Sequence, residues 1–185
     1  MSKHLILCLI SFALIFGCKK TQIEKNVQFK IGRDFVGGIN DSTQVKDLKV
    51  IFANDSIVNY QEDDSFVGGL NAIDIFEKNG NPLLSVFPYE ALDSTSIIDF
   101  IQLKDSRYKT EKGICNLSIF QEIKSVYTIS EIQNNLNTIK IIINEIDATF
   151  VINKNELLST FDFGVKVDTT QIPNGTKFSS FIINF

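Results

Sequence analysis

Two stretches of the chain, which match without a gap at an offset of 75 residues, decide its fold. Residues 38–52 read GINDSTQVKDLKVIF, and residues 113–127 read GICNLSIFQEIKSVY. Each opens with Gly-Ile, continues through a polar segment, and then repeats apolar residues three and four positions apart, which is the spacing of one helix face. The match predicts a short amphipathic helix at the same place in each half of the chain.

Polar residues mark the start of both predicted helices. In the second helix Ser118 and Gln121 have the spacing of a capping box, while Asp41 or Thr43 is the equivalent cap in the first. The apolar faces consist of Val45, Leu48, Ile51 and Phe52 in the first helix, and of Ile119, Phe120, Ile123, Val126 and Tyr127 in the second.

Helices of about three turns are marginal by themselves, so both helices are expected to pack on a sheet. Leu48 and Ile123 should then be buried in matching positions. Lys49 and Lys124, one position further along, should be exposed to solvent.

Two further matches suggest that the whole unit is duplicated. Residues 76–87 (FEKNGNPLLSVF) align with residues 150–161 (FVINKNELLSTF) at an offset of 74, and seven of the twelve pairs are identical. A weaker match pairs Thr95, Phe100 and Ile101 with Thr176, Phe181 and Ile182.

The rest of the chain is rich in β-branched and aromatic residues, which favour strands. Predicted strands cover residues 27–35, 56–61, 71–77, 96–104, 138–144, 148–153 and 177–184, and the Asn-Gly-Asn-Pro sequence at 79–82 predicts a turn. Ile98 and Phe100 alternate with Asp99 and Gln102, as in a sheet with one wet face.

These elements predict an α+β fold with two tandem pseudo-repeats of about 75 residues, each a short helix packed on an antiparallel sheet. Residues 27–95 would form the first repeat and residues 96–185 the second, either as two units or as one domain.

A Gly-apolar turn, a hydroxyl cap and a Val- or Phe-led helix occur in both repeats (Gly38, Thr43 and Val45; Gly113, Ser118 and Phe120). In this respect the chain resembles the small helix-on-curved-sheet lipoproteins of envelope assembly and the β-lactamase-inhibitor protein. That resemblance implies a tandem of helix-on-sheet units.

The N-terminal segment, residues 1–17, is built like an export signal, with Lys3 and His4 followed by a twelve-residue apolar run from 5 to 16. This run is shorter than the roughly 20 residues of a spanning helix. The sequence Ile15-Phe16-Gly17-Cys18 resembles the lipobox of bacterial lipoproteins. That resemblance implies that Cys18 is acylated and becomes the new N-terminus, with residues 18–26 as a tether. An ordinary signal peptide or an uncleaved anchor is the alternative.

Lysine follows the acylated cysteine, which by the same resemblance implies transport to the outer membrane. Lys19, Lys20 and Lys25 would either meet anionic headgroups or belong to a solvated tether. Removal of residues 1–17 takes away Lys3 and no acidic residue, so the formal charge of −4 becomes −5. This acidic balance argues against nucleic acid as a partner.

Composition also excludes several kinds of catalytic site. His4, the single histidine, lies in the removed segment together with Cys8, and lipid consumes Cys18. The mature chain therefore cannot build a Ser-His-Asp site, a Cys-His site or an intrachain disulfide, and it lacks the usual zinc ligands. We expect no catalytic residue, cofactor or metal, and we interpret Cys115 as a structural thiol.

Carboxylates and phenylalanines leave two alternative functions open. Glu62-Asp63-Asp64 is most simply a solvated loop tip, but carboxylates alone can support a hydrolase of cell-wall sugars. The sixteen phenylalanines would permit a carrier with an apolar ligand between helix and sheet.

The two arginines of the chain, Arg33 and Arg107, each precede a Gly-Ile turn and stand near an aromatic residue, Phe35 or Tyr108. They are candidate binding residues, since the guanidinium fork suits carboxylate or phosphate. The alternative is an ion pair with the neighbouring Asp34 or Asp105. The leading hypothesis is a non-catalytic, lipid-anchored envelope protein that binds an unidentified envelope protein; its oligomeric state does not follow from the sequence.

Overall fold

A computed structural model of the chain describes residues 28–59, 72–157 and 161–185. Several predicted features lie outside these residues: the signal segment, the tether with Cys18, the acidic stretch 62–64 and residues 158–160 of the second match. The strands are, in chain order, β1 (Lys30–Ile31), β2 (Phe35–Val36), β3 (Ile39–Asn40), β4 (Ser56–Asn59), β5 (Ile73–Phe76), β6 (Pro82–Pro88), β7 (Ile98–Leu103), β8 (Lys109–Thr110), β9 (Glu131–Asn134), β10 (Thr138–Ile143), β11 (Ala148–Asn153) and β12 (Ser180–Asn184).

Eight of these strands form one antiparallel sheet in the order β4-β5-β6-β7-β12-β11-β10-β9. Strand number therefore rises from each edge towards the centre, where β7 and β12 pair with Ile101 opposite Ile183. A helix precedes each set of four strands along the chain. The fold class is α+β, mostly sheet with two short helices.

One face of this sheet carries the core. Residues alternate between buried and half-buried positions along β10, β11 and β12, because successive side chains of a strand point to opposite faces. The buried residues of these strands, such as Ile141, Phe150 and Phe181, belong to the same core cluster as Leu48 and Ile123 of the helices. Helices and core therefore lie on the same side of the sheet.

The two helices are shorter than predicted. A 3-10 turn (Val45–Asp47) leads into α1 (Leu48–Ile51), and α2 spans Phe120–Val126. Leu48 and Ile123 are buried, as expected, while Lys49 and Lys124 are exposed.

The helix caps differ from the predicted capping box. The backbone N–H of Gln44 donates to Asp47 Oδ2 at 3.0 Å, and that of Ile119 donates to Glu122 Oε2 at 2.9 Å. The N-cap positions are thus Gln44 and Ile119, one residue after Thr43 and Ser118, and Glu122 takes the role predicted for Gln121. Carboxylates near a helix N-terminus also favour the helix dipole.

Four short strands form a second sheet in the order β3-β2-β1-β8. The predicted strand at 27–35 is broken after Ile31 by a turn, so that β1 and β2 pair as a hairpin with Ile31 opposite Val36. β1 and β8 run parallel, with Lys30 opposite Lys109. Ile31, Val36 and Ile39 bury one side of this small sheet in the core.

Most of the other predicted strands are present at the predicted positions, but several strands of the structure were not predicted. β3, β6, β8 and β9 were not predicted, whereas β4, β5, β7, β10, β11 and β12 lie within predicted segments. The turn at 79–82 is present, and Gly80 adopts a φ of 88° there. Asn79 helps to close it, since its side chain accepts the Asn81 N–H at 3.0 Å.

The second sequence match does not equate corresponding strands. It aligns Phe76, in the second strand of its set, with Phe150, in the third strand of the other set. The third match is one residue out of register. Ser96 O accepts a bond from the Val45 N–H, and Thr176 O accepts the corresponding bond from the Phe120 N–H. The two acceptors are 80 residues apart, whereas the third match pairs residues that are 81 apart.

Candidate functional site

Arg33 lies in the turn between β1 and β2 and reaches across to the β10–β11 hairpin. Its Nε donates to Asp147 Oδ2 at 2.8 Å, and 64% of the side chain remains exposed. This hydrogen bond and the charge of Asp147 raise the pKa of Arg33. Arg33 therefore pairs with Asp147. The ion-pair alternative had named the neighbouring Asp34 as its partner.

The Arg33–Asp147 pair borders an open groove of about 520 Å³. Asp34 and Asp41 also line it, together with Ile142, Asn144, Thr149, Asn184 and Phe185. Three carboxylates face one guanidinium, so the groove is acidic. Asp147 is already held by Arg33, which leaves it unsuited to act as a free carboxylate.

Arg107 lies in the connection between β7 and β8 and is enclosed by acids. Its Nη2 donates to Asp105 Oδ2 and to Glu77 Oε1, both at 2.5 Å. The guanidinium carbon also lies 4.4 Å from the centre of the Phe29 ring. These bonds lower the pKa of Asp105 and of Glu77. Arg107 thus forms the ion pair with Asp105 that was the alternative to a binding role.

Tyr108 is buried, with 1% of its surface exposed, and its ring packs edge-on against Phe29 at 5.0 Å. Burial raises the pKa of its phenol. Tyr108, the aromatic residue that the sequence places beside Arg107, therefore offers no exposed surface to a binding partner. The reason is strand alternation, because Tyr108 and Thr110 point into the core while Lys109 points outward. Phe35, by contrast, is 37% exposed.

A second groove, of about 660 Å³, opens on the outward side of the small sheet. It is lined by Phe29, Lys30, Ile31, Phe35, Arg107, Lys109, Thr110 and Glu111. The two predicted arginines thus border different grooves and do not converge on one site. Only the Arg107 groove brings predicted residues together, since it contains both Arg107 and Phe35.

The large sheet presents a further surface on the side away from the helices. We call it the outer face; its half-buried members are Asp74, Phe87, Phe100, Gln102, Lys140, Ile142, Thr149, Val151 and Ile182. Phe87 and Phe100 stack with their ring centres 4.3 Å apart. Polar groups beside them are satisfied within the sheet, as where Gln102 Nε2 donates to Ser180 Oγ at 2.8 Å.

The sequence pattern of β7 did not predict the outer face. It placed Phe100 on the same side as Ile98, but the register shifts between Phe87 and Pro88, and Ile98 is buried while Phe100 is not. A bulge of this kind moves the following side chains to the other face. The available signal was Gln102, whose polar character indicated the wet face correctly.

The remaining candidates show little assembled chemistry. Cys115 carries a free, half-buried thiol. Its backbone N–H donates to Ser118 Oγ at 3.3 Å. Within residues 28–59, 72–157 and 161–185, no group of three His, Cys, Asp or Glu side chains is placed to hold a metal ion. No helix in the described ranges is long and apolar enough to cross a membrane.

Comparison with known proteins places the chain only at the level of fold. It shares an α+β architecture with the crystal structure of the uncharacterized protein YfeY from Escherichia coli, with a TM-score of 0.56 and 14% sequence identity. The similarity covers 84% of this chain and 99% of that one. No family model matches the chain, and a search of curated proteins found no match.

Proposed function

We propose that the chain is a non-catalytic, lipid-anchored protein of the bacterial envelope, which binds another protein through the outer face of its large sheet. Anchoring is supported by the sequence Ile15-Phe16-Gly17-Cys18 after an apolar run. Two or three acyl chains would give a stable anchor, since a single chain binds membranes only marginally.

The stacked Phe87–Phe100 pair is the observation that carries the binding proposal. Aromatic side chains in the middle of a surface are the commonest anchors of protein interfaces. Ile182, Val151 and Ile142 extend this apolar centre across β12, β11 and β10. Eight strands spaced about 4.8 Å apart span about 34 Å. A surface of that width is of the order needed for the roughly 800 Å² that one partner contributes to a standard interface.

The charge distribution favours protein binding over a carboxylate-only hydrolase. Such an enzyme needs one carboxyl group free to act as an acid and another free as a base or nucleophile. In the acidic groove Asp147 is engaged by Arg33 at 2.8 Å, which leaves Asp34 and Asp41 as the carboxyl groups that such an enzyme would have to use. The outer face, in contrast, combines apolar centres with polar side chains of which Asp74, Gln102 and Thr149 already have partners, which lowers the desolvation cost of covering it.

We also infer that the two halves arose by duplication and form tandem helix-on-sheet repeats. The bond from Val45 N–H to Ser96 O measures 3.0 Å, and its counterpart from Phe120 N–H to Thr176 O measures 2.9 Å. Isolated bridges pair Gln44 with Ile97 and Ile119 with Lys177 in the same arrangement. The donors of these bonds lie within the ungapped match of residues 38–52 with 113–127, and the acceptors are related by an offset of 80, which supports a common origin of the two helices and their docking strands.

Site-specific photocrosslinking tests the binding proposal. A photoreactive phenylalanine at position 87 should crosslink the full-length protein in intact cells to one discrete envelope protein. The matched control carries the same group at Val50, which is 79% exposed on α1. Equal crosslinking from both positions, or none from position 87, would contradict binding through the outer face.

A further inference from the structure

We propose that the outward side of the small sheet docks on an anionic membrane surface, next to the lipid anchor. We call this surface the basic face; it consists of Lys30, Phe35 and Lys109 in the groove between β2, β1 and β8. The proposal rests on the lipid anchor of the proposed function, but it concerns residues that are distinct from the anchor.

The first argument is the juxtaposition of two like charges. β1 and β8 are parallel, and Lys30 lies directly opposite Lys109. Both lysines are exposed, and neither ammonium forms an ion pair or hydrogen bond with any residue of the described ranges. Like charges directly opposite each other destabilise a strand pair. An anion placed between them would convert this repulsion into attraction.

The charges around the groove are unevenly distributed. Arg107 is engaged by two carboxylates, Asp105 and Glu77, at 2.5 Å. Glu111, two residues after Lys109, brings the acidic side chains around the groove to three, which equals the number of basic ones. The positive charge is therefore local: it lies at the facing Lys30 and Lys109, which have no partner in the described ranges.

The second argument is an apolar side chain beside the lysines. The Phe35 ring lies directly against Gly32, where a Cβ would come within 2.2 Å of Phe35 Cε1. The ring is thus held against the sheet while 37% of the residue stays exposed. Basic side chains around an aromatic ring are the combination that binds the headgroup region of anionic bilayers.

The third argument is the position of the anchor. Gln28, the first described residue, lies ten positions after Cys18, and β1 of this same sheet begins at Lys30. Ten residues span at most about 35 Å, so the anchor would keep the start of the small sheet within about that distance of the acylated residue. Lys19, Lys20 and Lys25 add positive charge along this connection.

The test uses the mature chain, residues 18–185, with Cys18→Ser, which removes the acylation site but retains every described residue. This chain should sediment with vesicles that contain phosphatidylglycerol and much less with pure phosphatidylcholine vesicles. Raised salt should reverse the binding, because exposed charges are screened. Each lysine near an anionic surface contributes about fivefold in binding. The pair Lys30→Gln and Lys109→Gln should therefore lower the partition coefficient about 30-fold.

The matched control is the pair Lys49→Gln and Lys166→Gln, which changes the charge equally at two exposed lysines outside this groove. It should bind vesicles like the parent chain. Equal losses in both double variants, or no preference for anionic vesicles, would overturn the proposal. Greater release from the vesicles by inorganic phosphate than by chloride at the same ionic strength would also overturn it, since the groove would then be a site for free phosphate. Acylation of Cys18 is tested separately by fatty-acid labelling, so failure of the anchor and failure of the basic face are distinguishable.

Discussion

Arg107 is the residue whose electrostatics are most clearly defined. Its guanidinium joins the end of β5, through Glu77, to the connection after β7, through Asp105. Both carboxylates have lowered pKa values because they accept hydrogen bonds from the guanidinium. The positive charge of Arg107 also lies over the Phe29 ring. A lysine could not bond Asp105 and Glu77 with the same planar geometry.

These lowered pKa values predict a dependence of stability on pH. Carboxyl groups with a folded-state pKa below the unfolded value of about 4 stabilise the fold above that value and lose this contribution as the pH falls. We therefore expect the free energy of unfolding to fall between about pH 6 and about pH 3, and to fall less in Arg107→Gln. Urea unfolding at the two pH values measures this, with Lys49→Gln as the control. Identical pH dependence in Arg107→Gln and the parent would contradict it.

Ile123 carries a second prediction at the residue scale. Its side chain is fully buried in the core between α2 and the sheet. Ile123→Ala should cost about 2–5 kcal/mol in the free energy of unfolding, because it leaves a cavity as well as losing apolar burial. Val50→Ala, at an exposed position of α1, should change stability by less than about 0.5 kcal/mol. Chemical denaturation compares the two; a loss below about 1 kcal/mol for Ile123→Ala would show that the site can collapse.

At the element scale, the equivalent helix starts depend on two buried hydroxyl groups. Thr43 Oγ1 accepts the Asn40 N–H at 2.9 Å, and Ser118 Oγ accepts the Cys115 N–H at 3.3 Å. Both residues are 7% exposed. The hydroxyls thus satisfy backbone donors in the turn that sets each helix against its strands.

Removal of either hydroxyl should therefore have a similar effect. Thr43→Ala and Ser118→Ala should each lower the free energy of unfolding by about 1–3 kcal/mol, since a partly buried N–H loses its acceptor. Exchange of the two residue types, as Thr43→Ser and Ser118→Thr, should stay close to the parent. Thermal and urea unfolding of all four variants tests this. Unequal tolerance of the exchanges would argue against structurally equivalent positions.

Element positions followed from the sequence wherever the apolar period was sustained. The content of β-branched and aromatic residues at 138–144 and 148–153 and the helix period at 45–52 and 118–127 gave the correct element types. β6 was missed because Leu83, Leu84, Ser85 and Val86 are all buried and show no alternation. Residue identity alone also misaligned the second match, since the pairing partners of a strand are set by distant residues.

The candidate site was less predictable for the same reason. Local sequence correctly paired Arg107 with Asp105, which is two positions away. It could not pair Arg33 with Asp147, which lies 114 residues away. The outer face likewise depends on the register of β6 and β7 and on a bulge that no local pattern announced.

At the scale of the whole molecule, the β7–β12 pairing joins the two halves into one sheet with one core. The last strand of each half, β7 or β12, pairs with the last strand of the other half, so neither half has an unpaired edge at the centre of the sheet. Open edges remain at β4 and β9 within the described sheet. The small sheet, where the described chain begins, lies on the core side of this arrangement, and its outward side is the basic face.

The proposed anchor provides the last prediction, because it would determine where this molecule is held. Cys18→Ser should remove both acylation and membrane retention, so that the protein leaves the membrane fraction after a high-salt wash and incorporates no fatty-acid analogue. Cys115→Ser is the matched control: its thiol is half-buried in the folded domain, and this variant should remain labelled and membrane-bound. The physical basis is that two or three acyl chains bind far more tightly than the electrostatic contacts of the basic face, which salt screens. Fatty-acid labelling in Cys18→Ser at the parent level would show that another residue is acylated and that the lipobox assignment is wrong.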